Sequence, residues 1–385
     1  MRLLVIPNDP LYRYVTKGVL KARYFNPCDM FDEVHVLSLA ERDEAVEAAQ
    51  ILAGRAKVQI HAVGRPGLRS WPAVRRRALE LARRIAPDLV RGYNPLLMGY
   101  LTVLCARAAG AVSVVSVHGD YSLARNVRIY GLRFLFSPRG LYQCAQHVLG
   151  YSRTTLTGAD HVICAYKFPR LWVDHWRREG VSVIYNRVDL ESFRPAENRP
   201  ADLPRLRVLN VGRQFEGNDP TAIIQAVARD TRLELTLVGH GPYHERLITL
   251  AGKLGAAGRI TFIPRVFHQD LPEVYRSHDV FAIARAHPGV CIPVLEAAAS
   301  GLPVVINHPL WEPLPEVVGE LAEVVDNSAA GYGAAFSRLF EDSAYRTRRG
   351  AALRELTQSY SGAAMERAEC ELYNRLLDEH TARSA

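Results

Sequence analysis

The sequence predicts an α/β protein made of two parallel-sheet domains, and three observations lead there. Short apolar, β-branched runs alternate with helical patterns, as expected of strand–helix–strand units whose sheet is covered on both faces. The alternation stops at a stretch rich in proline, asparagine and charge, residues 196–206, and then restarts. At 385 residues the chain suits two domains of roughly 150 residues each.

In chain order, Leu3–Pro7 reads as a strand followed by a long loop through Lys17-Gly18. Val34–Leu37 is the next strand, then a helix over Glu41–Leu52 and a strand at Val58–Val63. Trp71–Ile85 is an amphipathic helix with an arginine-rich face, and Pro95–Ala109 is a helix after a strand ending at Arg91. Val112–Val117 is a strand ending in His118-Gly119-Asp120. Residues 121–158 are helical, and two strands follow, Val162–Ala165 and Val181–Tyr185, around a helix at 169–179. The second series has strands at Arg207–Val211, Leu233–Val238, Ile260–Ile263 and Val280–Ala284, with helices between them. The tail from Ala330 is helical and ends in a helix over Ala363–Leu377, long enough to dock elsewhere. The expected boundaries are 1–188, 189–360 and a C-terminal crossover helix at 361–385. Two such Rossmann-like domains facing each other would place ligand sites at the carboxyl ends of their strands, in the cleft between them.

Composition narrows the class. With 48% hydrophobic and 23% charged residues, the chain has the make-up of an ordinary globular protein. The longest apolar run, Leu96–Ala106, stops at Arg107 and is too short to span a bilayer. The apolar N-terminus is also too short for a signal peptide. The six cysteines are far apart and form no CxxC, which argues against a metal site or disulfide frame and for a reducing, cytoplasmic setting. Residues 1–190 hold 27 basic against 15 acidic residues, and the remainder 21 against 25. A basic first domain implies an anionic partner. No aromatic-interleaved nucleic-acid pattern accompanies it, so a membrane surface is favoured over nucleic acid. The arginines at 75–77 and 83–84, with Arg125, Arg128, Arg133 and Arg139, are candidates for anionic lipid or an acidic acceptor, or simply a solvated helix face.

The stretch from Pro288 to Val305 combines a small-residue loop, a short helix with Pro293 in its first turn, and Gly301-Leu302-Pro303 leading into a strand. A helix that starts at such a loop offers free N–H groups to a phosphate. Glu296, one turn in, can accept hydrogen bonds from the hydroxyls of an attached ribose. Arg213 ends the first strand of the second domain, where its forked guanidinium is well placed for a diphosphate, the alternative being a surface salt bridge. Gly239-His240-Gly241-Pro242 follows another strand, but His244 stands where a dinucleotide fingerprint needs its third glycine, so the stretch reads as a tight turn. His118 and Asp120, after a buried strand, can meet sugar hydroxyls or developing charge, or be structural.

Taken in order, Gly212-Arg213, Leu237–Pro242, Leu271–Tyr275 with Asp279-Val280, and Pro293–Val305 resemble the retaining, nucleotide-sugar-dependent glycosyltransferases of group 1, which have the GT-B fold. Asn186-Arg187-Val188-Asp189 with Phe193-Arg194-Pro195 resembles their interdomain hinge. The resemblance is specific over 181–345 and looser before it. It implies that Arg213 binds the donor diphosphate and Glu296 the donor ribose. It implies that the amides around Gly289, Val290 and Cys291 meet the phosphates and sugar, that Gly239 lies beside them, and that Arg265 and Val266 lie near the base. His118, with Asp120, would approach the transferred sugar from the acceptor domain. It further implies front-face attack with retention, no metal ion, and no cofactor beyond a UDP- or GDP-linked sugar as substrate. The acceptor would be lipid-linked, a polysaccharide or a small molecule.

Two positions depart from the family pattern. Pro288, beside His287, stands where a glutamate usually touches the donor sugar, and Asn218 stands where a lysine usually meets the diphosphate. Either His287, or Lys17 beside Gly18 on the facing domain's loop, substitutes, or the donor is unusual, or the chain is a non-catalytic nucleotide-sugar binder. An NAD-dependent oxidoreductase on tandem Rossmann domains is a third reading, disfavoured by the missing GxGxxG.

Overall fold

The computed structural model describes residues 1–17, 20–198, 200–286, 291–308 and 321–384. Its contacts divide the chain into one unit of Met1–Tyr185 with Ala363–Ala385 and a second of Asn186–Gly362.

The first unit holds a seven-stranded parallel sheet of β1 (Arg2–Ile6), β2 (Glu33–Ser38), β3 (Lys57–Ala62), β4 (Leu89–Gly92), β5 (Val112–Val117), β6 (His161–Cys164) and β7 (Val181–Val183). Its order is β3-β2-β1-β4-β5-β6-β7. Leu3, Leu4, Val5 and Ile6 of β1 are all fully buried because helices cover both faces of this central strand, so it reads as a continuous apolar run. The second unit repeats the plan with six parallel strands, β8 (Leu206–Val211), β9 (Leu233–Val238), β10 (Ile260–Ile263), β11 (Val280–Ile283), β12 (Val304–Asn307) and β13 (Glu323–Val325), in the order β10-β9-β8-β11-β12-β13. In both sheets the order reverses once, between β1 and β4 and between β8 and β11. A crevice opens beyond the carboxyl ends of the strands at such a switch point.

The C-terminal helix Gly362–Ser384 belongs to the first unit and is longer than the sequence pattern suggests. Leu372, Tyr373 and Leu376 join the core beneath β1 and β4. Glu369 reaches Arg91 of β4 at 3.1 Å, and both side chains are buried. Tyr373 Oη donates to the same carboxylate at 2.6 Å, and Arg91 donates to Ser116 Oγ at 2.5 Å.

Two helix boundaries differ from expectation. The helix expected over Glu41–Leu52 begins only at Val46 and runs to Ala53. Asp43 lies outside it because its carboxylate accepts from the Leu11 and Tyr12 amides at 2.7 and 3.3 Å and from Ser38 Oγ at 2.6 Å. Those bonds cap a helix at Leu11–Lys17, where a loop was expected. The helix expected at 169–179 is Lys167–Val173. Beyond it, Arg177 donates to the carbonyls of Ala159 and Glu179 and draws the chain back toward β7. No helix among the described residues is long and apolar enough to cross a membrane.

Candidate functional site

In the second unit the loops after β8, β9 and β10 are laced together at the carboxyl ends of their strands. Gly212 N donates to Val238 O at 2.9 Å, and Gly239 N donates to Ile263 O at 2.8 Å. Gln214, fully buried, donates through Nε2 to Gly239 O at 2.9 Å, while its Oε1 lies 2.8 Å from His244 Nδ1. Gly239 has φ +128°, and a Cβ there would lie 2.2 Å from Gly212 O. A glycine is therefore required for the two loops to touch. His244, which stands where a dinucleotide fingerprint needs glycine, is instead buried against Gln214.

Arg213 follows β8 at the switch point. Its side chain is exposed, with the guanidinium carbon 5.7 Å from the Phe215 ring. Among the described residues it makes no ion pair, so its charge is available to an anion. Asn218 lies behind it, 5% exposed, and donates through Nδ2 to Arg213 O at 2.9 Å. Asn218 Oδ1 is buried without a hydrogen-bond partner among the described residues. The side chain that replaces the family's lysine thus holds the backbone of Arg213 and supplies no charge.

Cys291 occupies the N-cap position of the helix Ile292–Ala299 without a side-chain capping bond, and Pro293 sits in its first turn, where no N–H is needed. Glu296 on that helix is 3% exposed and accepts from Tyr275 Oη at 3.1 Å and His268 Nε2 at 3.2 Å. Burial, reinforced by the Glu296 carboxylate, keeps the Tyr275 phenol well above its ordinary pKa, so it stays a donor. His268 rests edge-on against Phe193 at 5.6 Å and follows Arg265 and Val266 on the loop after β10. Arg265 is exposed and its guanidinium lies 4.8 Å from the Phe267 ring. His268, Tyr275 and Gln214 are the parts that sequence reasoning missed. The one available signal was a histidine on the loop already assigned to the base. His287, Pro288, Gly289, Val290 and Gly18 lie outside the described residues, as does the side chain of Lys17.

In the first unit His118 follows β5 and is partly buried. Burial, then the charge of Arg91, pushes its pKa down to about 4, so the imidazole is neutral at physiological pH. Asp120 Oδ1 accepts from the Ser122 amide at 2.7 Å, and its carbonyl accepts from Arg125 at 2.7 Å. One carboxylate oxygen is therefore committed to shaping the turn into the helix Leu123–Tyr130.

Residues 194–355 match the family model of group 1 glycosyl transferases, and residues 29–192 match that of glycosyltransferase family 4. The chain belongs to the group 1 glycosyltransferases. Its fold is that of the GT-B members, with two Rossmann-like α/β units. This membership decides against the dehydrogenase reading. The chain is 31% identical over 180 residues to the lipopolysaccharide core biosynthesis glycosyltransferase LpsE of Rhizobium meliloti, a match spanning 45% of this chain and 51% of that one. It is 29% identical over 171 residues to the D-inositol 3-phosphate glycosyltransferase of Mycobacterium tuberculosis, covering 38% and 35%. The chain thus spans about half of the first relative's length and about a third of the second's. Among solved structures, Anabaena HepE in complex with UDP aligns over 97% of this chain and 100% of its own, with a TM-score of 0.74 at 15% identity. HepE has also been solved with UDP-glucose, with a TM-score of 0.71.

Proposed function

We propose that this chain transfers a sugar from a UDP- or GDP-linked donor to a lipid-linked, polysaccharide or small-molecule acceptor, with retention and without a metal ion. The observation that carries the reading is Arg213, an exposed cation with no ion pair among the described residues, at the switch point of a sheet whose neighbouring helix presents the buried, hydrogen-bonded Glu296. UDP and UDP-glucose in HepE support a uridine donor, and the lipopolysaccharide role of LpsE supports a lipid-linked saccharide acceptor.

In this reading Arg213 neutralises the diphosphate that departs, a task that forked N–H donors perform without a metal. Glu296 keeps lone pairs for the ribose hydroxyls while Tyr275 and His268 fix its rotamer. Arg265 and Val266 border the base, Gly239 holds its turn close against Gly212 at the phosphate end, and the Cys291 amide meets the phosphates. The departing phosphate takes the acceptor proton as the new bond forms on the same face. Neutral His118 hydrogen-bonds a hydroxyl of the moving sugar, and Asp120 orients a second. The enzyme would work in the cytoplasm at the inner face of the membrane, where the basic first unit meets anionic lipid.

A second reading, nucleotide-sugar binding without transfer, is favoured by Asn218, which is neutral and committed to the Arg213 carbonyl. A donor panel separates the two. Transfer predicts release of UDP or GDP from at least one sugar nucleotide, unchanged by EDTA, with the donor's anomeric configuration kept in the product. Binding with no release across lipid-linked and soluble acceptors would favour the second reading.

A further inference from the structure

The helix Pro138–Val148 is inside out. A surface helix normally turns its apolar stripe to the core and its polar face to water. Here Gln143 and Gln146 are buried, while Leu141, Tyr142, Ala145, Val148 and the adjoining Leu149 face outward. Spacings of three, four and seven put these outward residues on one stripe. Val148 is 86% exposed, and Phe136, just before the helix, is 81% exposed.

Hydrogen bonds hold this orientation. Gln143 Nε2 donates to Tyr121 O at 2.9 Å, and its Oε1 accepts from Asn126 Nδ2 at 3.1 Å. Gln146 Oε1 accepts from the Leu97 amide at 3.0 Å. Ser137 caps the helix start by accepting from Gly140 N at 3.0 Å. A Cβ at Gly140 would lie 1.8 Å from Phe134 O, so that glycine lets the helix close against the turn bearing Phe136. Rotating the helix to bury its apolar stripe would leave the Leu97 amide and the Tyr121 carbonyl without these partners, a costly exchange for buried polar groups. The apolar face is therefore held outward.

Charge identifies what covers it. Between Asp120 and Asp160 the chain has no aspartate or glutamate, yet carries Arg125, Arg128, Arg133, Arg139 and Arg153. Arg139 sits over the Tyr130 ring at 5.8 Å, beside the apolar stripe. An apolar stripe fringed by arginine with no carboxylate matches the boundary between acyl chains and anionic headgroups. An acidic protein surface would complement the positive charge but not the apolar stripe.

We propose that residues 132–149 form a bilayer-docking element that inserts Phe136, Leu141, Val148 and Leu149 into the headgroup boundary of an anionic membrane. This deepens the membrane-surface part of the proposed function, and vesicle binding tests it without reference to turnover. The full chain is floated with phosphatidylcholine vesicles containing or lacking about 30% phosphatidylglycerol, a typical anionic probe. Wild type should float with the anionic vesicles only, and less as salt rises. The triple variant Phe136→Ser, Val148→Ser, Leu149→Ser should lose at least about tenfold in vesicle partitioning. Its circular-dichroism melt should match wild type, because all three side chains are exposed. The control Arg76→Gln, Arg83→Gln on the helix Trp71–Ile85 should keep most of the binding.

Triple-variant flotation equal to wild type, with binding lost in the control, would overturn the docking element while leaving membrane association intact. Failure of wild type to float would overturn both. Concentration-dependent dimers in sedimentation velocity that vanish in the triple variant, without flotation, would instead assign the stripe to a second copy. A triple variant that fails to fold is replaced by Val148→Ser alone, expected to lose about threefold by the same partitioning rule.

Discussion

The second unit fixes its candidate residues with backbone contact and short polar bonds: Gly239 against Gly212, Gln214 on Gly239 O, Tyr275 and His268 on Glu296. The first unit works through charge and burial. A buried ion pair, Arg91–Glu369, ties the C-terminal helix under the sheet, and histidines at 61, 118 and 161 are held neutral with pKa values near 4. A site that must hold a rigid, charged nucleotide benefits from preorganised donors and a locked carboxylate. The first unit, by contrast, leaves an apolar and basic surface and takes its stability from within. The difference suggests that damage to one unit can be read separately from damage to the other.

The largest expected effect is on the first unit. Glu369→Ala leaves the Arg91 charge buried without its carboxylate and should cost about 3–5 kcal/mol. Three of the four tryptophans, Trp71, Trp172 and Trp176, lie in this unit, so denaturant unfolding followed by tryptophan fluorescence reads it directly. A midpoint equal to wild type would mean that the pair does not anchor the helix.

Acid should act on the same unit. Burial, then neighbouring arginines, depresses His161 from 6.5 to about 4, so between those values the unfolded chain binds the extra proton and the folded chain does not. Stability from this residue is complete above pH 6.5 and lost as pH falls toward 4, up to about 3 kcal/mol. His118 and His61 add in the same direction. Melting temperatures measured across this window should fall with pH, and the fall should shrink in His161→Gln. An unchanged slope in that variant would remove His161 from the account.

A smaller effect sharpens the other side. Glu296→Gln keeps a carbonyl acceptor for Tyr275 but loses the charge offered to a ribose. It should weaken UDP binding by about 1–2 kcal/mol, within the range for charge-assisted hydrogen bonds, with little change in fold. Calorimetric titration checks this. Equal affinity would place the ribose elsewhere.

Much of this was legible in the residues. Leu3–Ile6 and Val304–Val305 read as buried strands because sheets covered on both faces give unbroken apolar runs. The Gly212-Arg213 and Pro293–Val305 motifs carried the family resemblance because local order holds them. What escaped depended on distant partners. Residues 121–158 read as helical, but the pattern is silent on which face turns inward, and in the helix Pro138–Val148 Gln143 and Gln146 reverse the usual answer through Tyr121, Asn126 and Leu97. Asp43 looked like part of a helix because its role as a cap for Leu11 spans 32 residues. His268 and Tyr275 stand 28 and 21 residues from the Glu296 they hold. Asn218 read as a lost lysine, and only its bond to Arg213 O reveals a structural task.

The central claim is that the second unit seats a nucleoside diphosphate on Arg213. Calorimetric titration of UDP and GDP into wild type and Arg213→Ala tests it most directly. At least one nucleotide should bind wild type, and the variant should bind it at least about tenfold more weakly, as expected for loss of a charged hydrogen bond. Its melting temperature should be unchanged, because the side chain is exposed. Equal affinity in the variant, or no binding of either nucleotide to wild type, would contradict the claim.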